Sequence, residues 1–530
     1  MLKNLVFVIK AKQDFIRFIG DEKKKNAPLL NSLFEAISET YIPLLDMIEN
    51  LEKDSIPCKF ALVLPPLLCT MLEENEIQDM YVEYLEKQIL LGSDELSRCS
   101  KDSLIIENIH NKIKEVEQLK SSFIEKYNKN LIKAFSDNMQ KGYIELLATC
   151  GSDVFLPHYA DMKEIVSAQI ETGLNAYKHA FGELPDGFWL PELGYRPGIE
   201  KIIKSYGFTY TILDSRSVLL SEEIPENGIF YPVRTENFLV LFANDYSVES
   251  ELFGEKGIVH SCVYRNENRD VGFELPMSEL KSFLEEDSIR YSTGYKYWNK
   301  CYNDENNNIY SASAAKEQAQ IDAKNFIEKR LQKLTEAEKL TKSTDFVTLV
   351  CTFDAGKLKE NWHEAIYWFE CIFREAKNVS LNMATCNEML SKQYNLDKHT
   401  PCYAAAIGSG YGENLLSKKN NWMMRYIRKA SERMVDLADR FPNDTGLKTR
   451  LLNLGAKELI LSQSLNLAKS IADDDFPTFS EERFLNCIEA FTTVFDSLGS
   501  NVVSTEWLTT LEGKDNFFPW MNYRIFSKKK

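Results

Sequence analysis

The chain contains no CxxC pair, no HxH or HExxH pair, no phosphate-binding glycine loop and no apolar run of membrane-spanning length. Each absence excludes a class of protein. The six histidines, His110, His158, His179, His260, His363 and His399, lack the spacing of metal ligands, so no metal is expected. His363 and Glu364 sit on an amphipathic segment and read as helix surface. The glycine-rich "GSGYGE" from Gly408 to Glu413 follows no convincing strand and reads as a loop, so no nucleotide cofactor is implied. Basic residues are in deficit, 63 against 79 acidic ones, and the net charge of −16 argues against nucleic acid as a partner. Eleven scattered cysteines read as reduced, mostly buried thiols with no disulfide framework. The apolar run Leu5 to Ile9 stops at Lys10 and Lys12, too short for the core of a signal peptide. A cytoplasmic protein with no membrane partner is therefore expected.

What is present is material for two or three domains: 530 residues, 44% of them hydrophobic, with 7 Trp, 24 Tyr and 31 Phe. Up to about Asp354, short strand-like runs alternate with long amphipathic ones. The runs are "NLVFVI", "KFALVL", "YIELLAT", "GFWLP", "YTILD", "FLVLFA" and "FVTLVCTFD". Seven strands separated by helices predict an α/β fold, a closed or nearly closed β/α barrel with its chemistry at the C-terminal strand ends. Residues 71–138 become continuously helical and charged, an excursion that would suit a hairpin over the barrel mouth. After about Thr400 only helical patterns remain. The predicted division is a barrel from 1–70 and 139–400, a helical insertion at 71–138 and a C-terminal helical domain at 401–530.

Two acidic residues fall at predicted strand ends. Glu192 lies in "GFWLPELGYRPG", among aromatic rings of the kind that cover apolar sugar faces and exclude water, as attack on an anomeric carbon requires. The same pattern also describes a turn carrying a glutamate among packed aromatics. Asp354 ends "TLVCTFDAG" and has the placement of the second carboxyl group that a glycosidase needs to protonate the leaving oxygen. It has equally the placement of an aspartate capping the next helix.

Taken together and in order, these segments resemble glycoside hydrolase family 57, in particular its 1,4-α-glucan branching enzymes. The family's VLHAHLPYVR strand corresponds to "VIKAKQDFIR", and its "EAITETYIPLL" helix to "EAISETYIPLL" from Glu35 to Leu45. Its "GxVELLTSAATHGYLP" is matched by "GYIELLATCGSDVFLP", its "WLPECAY" by Trp189 to Tyr195, its "DxxYREFYRD" by "SCVYRNENRD", and its "FGRD" by "FAND". "NNWMMRYIRKASERM", "ELILSQS" and "FFPWMNYRIF" resemble parts of the branching-enzyme helical domain, so the resemblance spans essentially the whole chain. It implies a distorted (β/α)7-type barrel with a helical insertion and a C-terminal all-α domain, acting on α-glucan without a cofactor. It implies Glu192 as nucleophile and Asp354 as general acid/base of a retaining double displacement. Trp189, Tyr195, Asp245, Arg265, Asp270 and Trp362 fall on positions near the substrate or supporting the site.

The departures concentrate where the family touches sugar. Lys10 and Lys12 replace the two histidines of the first motif, and Gln13, Asp14 and Phe15 replace the Leu-Pro-Tyr after them. Asp153 replaces the histidine of the ATH segment, and Ala406 the glucan-stacking tryptophan of "SSWG". The tyrosine of the loop associated with transfer falls near Asn227, in "PENGIFYP". Lysine beside Glu192 would weaken it as a nucleophile, and each lost ring removes on the order of 1 kcal/mol from glucan binding. Asp153 paired with Lys10 or Lys12 would instead give a rewired, working site. Both readings stand at this point: a glucan-active enzyme with altered subsites, or a catalytically impaired relative that binds glucan or serves as a scaffold.

Overall fold

All seven apolar runs become parallel strands of one barrel in the computed structural model, which describes residues 1–12, 16, 23–99, 103–284, 289–301, 308–341, 345–391, 395–514 and 516–528. The replaced motif residues Gln13, Asp14 and Phe15 lie outside these ranges. The strands are β1 (Leu2–Lys10), β2 (Phe60–Val63), β3 (Ile144–Leu147), β4 (Gly187–Phe188), β5 (Tyr210–Leu213), β6 (Val233–Arg234), β7 (Val240–Ala243), β8 (Phe346–Asp354) and β9 (Asn382–Ala384).

They form two sheets. The first runs β3-β2-β1-β8, with β9 alongside the first half of β1, and the second runs β4-β5-β7-β6. Single parallel bridges join the sheets into a ring, Ala148 with Phe188 on one side and Asn244 with Val350 on the other. This is the distorted seven-stranded barrel. The short β6, antiparallel to β7, and the three-residue β9 lie beyond the seven runs.

The ring closes around side chains that alternate as strand geometry demands. Val6, Val8, Ala61, Val63, Tyr210, Ile212, Phe242 and Val350 share one cluster, the barrel interior. The intervening Leu5, Phe7, Ile9, Phe60, Leu62, Leu349 and Cys351 join the larger core under the surrounding helices. Phe7 meets Phe353 edge to face at 4.9 Å between centroids, and Phe353 meets Phe369 on the helix Ala365–Asn378 in the same way. Such pairs add about 0.5–1.5 kcal/mol each beyond the area they bury.

The helical excursion supplies Asn75–Arg98, Ser103–Ser121 and Leu131–Gln140. None of its described residues lines the cleft at the strand ends. Two of its buried polar residues meet the segment after the barrel's sixth strand: Gln88 donates to the Thr293 carbonyl at 2.8 Å, and Tyr297 donates to Glu95 at 2.7 Å. The C-terminal helices are Trp422–Arg440, Leu447–Ser462, Leu465–Asp473 and Pro477–Ser500, and the last two wall the mouth. Gln169 locks them to the barrel, donating to Gln463 at 2.7 Å and to Ser152 at 3.0 Å. The expectation of free thiols needs one correction. Cys262 and Cys301 form a disulfide across 39 residues, linking two segments that Arg265 and Asn299 also bridge. Among the described residues, no helix is long and apolar enough to cross a membrane.

Candidate active site

A cleft of about 430 Å³ opens at the C-terminal ends of the strands. Lys10, Lys12, Trp189, Glu192, Asp354 and Ala406 all line it, with Asn466, Lys469, Asp473 and Phe479 from the C-terminal helices opposite. Residues separated by most of the chain thus meet at one place, as a barrel of this kind arranges.

Glu192 follows β4 on a short turn and is held with φ at 53° and ψ at 22°, with Leu193 at φ 48°. Left-handed backbone in consecutive non-glycine residues costs about 1–3 kcal/mol each and persists where surrounding structure enforces it. Here the enforcement is visible: the Ala406 N–H donates to the Glu192 carbonyl at 2.7 Å, and the Tyr195 N–H to the Ala404 carbonyl at 2.9 Å. The segment carrying Ala406 therefore fixes the turn by its backbone. On the side-chain side, the Lys469 ammonium donates to Glu192 Oε1.

Asp354 does two things at once. Its Oδ1 accepts the Lys357 N–H at 2.9 Å and caps the helix Ala355–Asn361, while its Oδ2 lies 3.7 Å from Lys10 Nζ. Lys10 and Asp354 are register partners on β1 and β8, which places them side by side. The capping role and the cleft-facing position are compatible, because different oxygens serve them.

Lys10 is 8% exposed, and its ammonium donates to Asp153 at 2.9 Å. Burial disfavours its charge, but Asp153, Asp354 and Glu192 together outweigh burial and raise its pKa above the ordinary lysine value. A buried cation thus sits within the field of both candidate carboxylates. Lys12 turns elsewhere, donating to Glu360 at 2.7 Å and to Ser32 at 3.2 Å. Gly356 makes room for it, since a Cβ there would stand 2.9 Å from three Lys12 carbons.

Trp189 is 5% exposed, and its indole N–H has no hydrogen-bond acceptor among the described residues. The other residues expected at the substrate lie outside the cleft lining and are engaged with protein groups. Tyr195 donates to Glu200 at 3.0 Å. Asp245 accepts from Lys333 at 2.8 Å, and its N–H meets the Val350 carbonyl at 2.6 Å, so it helps close the ring. Burial raises its pKa, yet Lys333 and Arg330 prevail and hold the carboxyl low. Arg265 is clamped by Glu267 at 2.8 Å and Glu39 at 3.0 Å. Asp270 gathers three backbone N–H groups, from Gly272, Thr293 and Gly294, and orders that loop; burial pushes its carboxyl up. Trp362 is packed between Tyr264 and Trp368, with centroids at 5.1 and 5.2 Å.

The loop containing Asn227 lies far from the cleft. The Phe230 carbonyl accepts the Thr348 N–H at 2.9 Å, and the Tyr231 ring packs on Phe346 at 5.1 Å, both near the start of β8. Six residues of strand separate Thr348 from Asp354, roughly 20 Å at the usual rise. Among the described residues, no group of His, Cys, Asp and Glu is arranged to hold a metal ion.

With this geometry in view, comparison with known proteins is decisive. The profile described as glycosyl hydrolase family 57 matches residues 6–396. The chain belongs to that family. A second profile, 1,4-alpha-glucan branching enzyme, C-terminal, matches residues 426–526 of this family 57 protein. It is 23% identical over 516 residues to the 1,4-alpha-glucan branching enzyme TK1436 of Thermococcus kodakarensis, covering 92% of this chain and 73% of that one. Among solved structures, the alpha-amylase AmyC of Thermotoga maritima matches with a TM-score of 0.91 at 25% identity, over the whole of both chains. The family 57 branching enzyme of Pyrococcus horikoshii matches with a TM-score of 0.86 at 21% identity, over 100% of this chain and 98% of the other. The barrel and its C-terminal helices are the fold these proteins share.

Lys469 is the residue sequence reasoning missed. It lies 277 positions from Glu192, on a helix with no motif of its own, and only the folded chain brings the two together.

Proposed function

We propose that the protein cleaves α-1,4-glucan by double displacement, with Glu192 as nucleophile and Asp354 as general acid and then general base. The observation carrying this reading is that the two carboxylates line one cleft at the C-terminal strand ends, each held by its own backbone device. In the first step Glu192 attacks the anomeric carbon while Asp354 protonates the departing oxygen. In the second, Asp354 takes a proton from the acceptor hydroxyl, which displaces Glu192. Lys10 keeps its charge between Asp153 and Asp354 and serves as a fixed donor at the floor. Trp189 lines the cleft and offers its ring to an apolar sugar face.

Transfer to a second glucan chain is the favoured outcome, supported by the branching-enzyme C-terminal match and the likeness to TK1436. A specific observation supports hydrolysis as the second reading: Phe230 and Tyr231, of the loop that aligns with the family's transfer-associated one, pack at the start of β8, away from the cleft. The likeness to AmyC, named an alpha-amylase, points the same way. Incubation with amylose separates the outcomes. Loss of iodine colour without matching new reducing ends indicates branching transfer; loss with matching ends indicates hydrolysis. Either must vanish in Glu192→Gln, and an unchanged signal in both proteins would refute the glucan reading.

A further inference from the structure

Resting on the double-displacement reading, we propose that Lys469 is a positioning residue that sets the balance between making and breaking the bond from Glu192 to sugar. Its ammonium donates to Glu192 Oε1, an oxygen of the carboxylate that would form that bond. The contact is built rather than incidental. The helix Leu465–Asp473 is pinned at its start, where the Leu465 N–H donates to the Asp153 carbonyl at 2.6 Å. It is pinned again at Ala468, whose carbonyl accepts the Asn420 amide at 2.7 Å. Leu465 and Leu467 are buried beneath it. Lys469 is thereby presented to Glu192 from the helical region, on the opposite wall from Lys10.

The consequence follows from where charge goes. When Glu192 bonds to the anomeric carbon and the old glycosidic bond breaks, the carboxylate charge is spent in an ester, and Asp354 gives its proton to the leaving oxygen. Lys469 stabilises the carboxylate more than the ester, so it opposes this step. When an acceptor hydroxyl attacks, its proton passes to Asp354, the bond from carbon to Glu192 breaks, and the electron pair returns to the carboxylate. Lys469 then stabilises the departing group and favours this step. Both effects lower the steady-state amount of the covalent intermediate. Asp473, one helical turn beyond Lys469 and also in the cleft wall, is an alternative partner for the ammonium while Glu192 is esterified. The ratio of branching to hydrolysis should not depend on Lys469, because sugar hydroxyls and water displace the same carboxylate.

The test uses the full chain with α-maltotriosyl fluoride, acid quenching and mass analysis of the peptide carrying Glu192. Lys469→Met should raise the steady-state fraction of glycosylated Glu192 by about fivefold, the scale of one partly exposed charged hydrogen bond. Lys469→Arg should restore the wild-type fraction, and the branching-to-hydrolysis ratio on amylose should stay constant across the three proteins. A Lys469→Met protein with wild-type adduct levels and only a changed KM would overturn the proposal and leave Lys469 as a wall residue. Absence of adduct in every protein, with Glu192→Gln matching wild type on amylose, would instead sink the double-displacement reading on which the proposal rests.

Discussion

Replacing Asp153 by Asn leaves a hydrogen-bond acceptor beside Lys10 but removes the nearest negative charge, at 2.9 Å. At an effective dielectric constant of 20 the gross attraction lost is roughly 6 kcal/mol, while the remaining contact to Asp354 at 3.7 Å retains roughly 4 kcal/mol. Breaking a buried pair outright costs about 3–5 kcal/mol net. With one partner surviving, the expected loss is about 2–3 kcal/mol. Lysine is charged at pH 7 in both folded and unfolded chains, so this loss reflects interaction and not titration. For a cooperative unit of 150–250 residues it corresponds to a fall in Tm of roughly 4–12 °C, read by scanning calorimetry. Lys10→Met should cost a similar amount by stranding Asp153, and the double variant should recover most of the loss, with a coupling of about 2 kcal/mol. The pair is buried, so 0.5 M salt should leave the coupling largely intact. Simple additivity of the two substitutions would refute the claim that these residues form the buried pair at the cleft floor.

Other outcomes follow from the same geometry. Burial lifts the Glu145 carboxyl to about 7, against help from Tyr210 and the Asn387 N–H. A carboxyl raised on folding contributes stability that is fully present below its unfolded value near 4.5 and is lost as pH rises through about 7. Glu145→Gln should therefore flatten the fall in Tm between pH 5 and 8 and stabilise the protein at pH 8 by about 2–3 kcal/mol; an unchanged pH slope would count against this. Trp189→Phe keeps a ring while removing an unpaired buried N–H, so Tm should move little while KM for amylose rises about fivefold, the worth of roughly 1 kcal/mol of sugar contact. An unaltered KM would remove Trp189 from the substrate.

Much of this was legible because strand patterning is local. Seven buried runs, each bounded by helix or turn signals, gave seven barrel strands, and Glu192 and Asp354 follow from where two of them end. Strands β6 and β9 were not legible because two or three residues carry no period. The disulfide was not, since Cys262 and Cys301 stand 39 residues apart without a motif. The partner of Lys10 was narrowed to one choice only by the fold, which sends Lys12 to Glu360 and leaves Asp153 beside Lys10. Charge complementarity named the candidates, and register on β1 selected among them. The packing partner of the helical hairpin was not legible because amphipathicity reveals that a face is buried without saying against what.

Among the described residues the ring of strands closes through two single bridges, and this has a mechanical consequence. Glu192 rides on the sheet that begins with β4, whereas Asp354 ends β8 of the other sheet. Their separation is therefore not a dimension of either plate but the gap across a joint between two plates. The helix Leu465–Asp473 spans that joint, holding Asp153 on one side through Leu465 and Glu192 on the other through Lys469. A substitution in this helix, which has no place in the barrel, therefore acts on both sides of the joint at once.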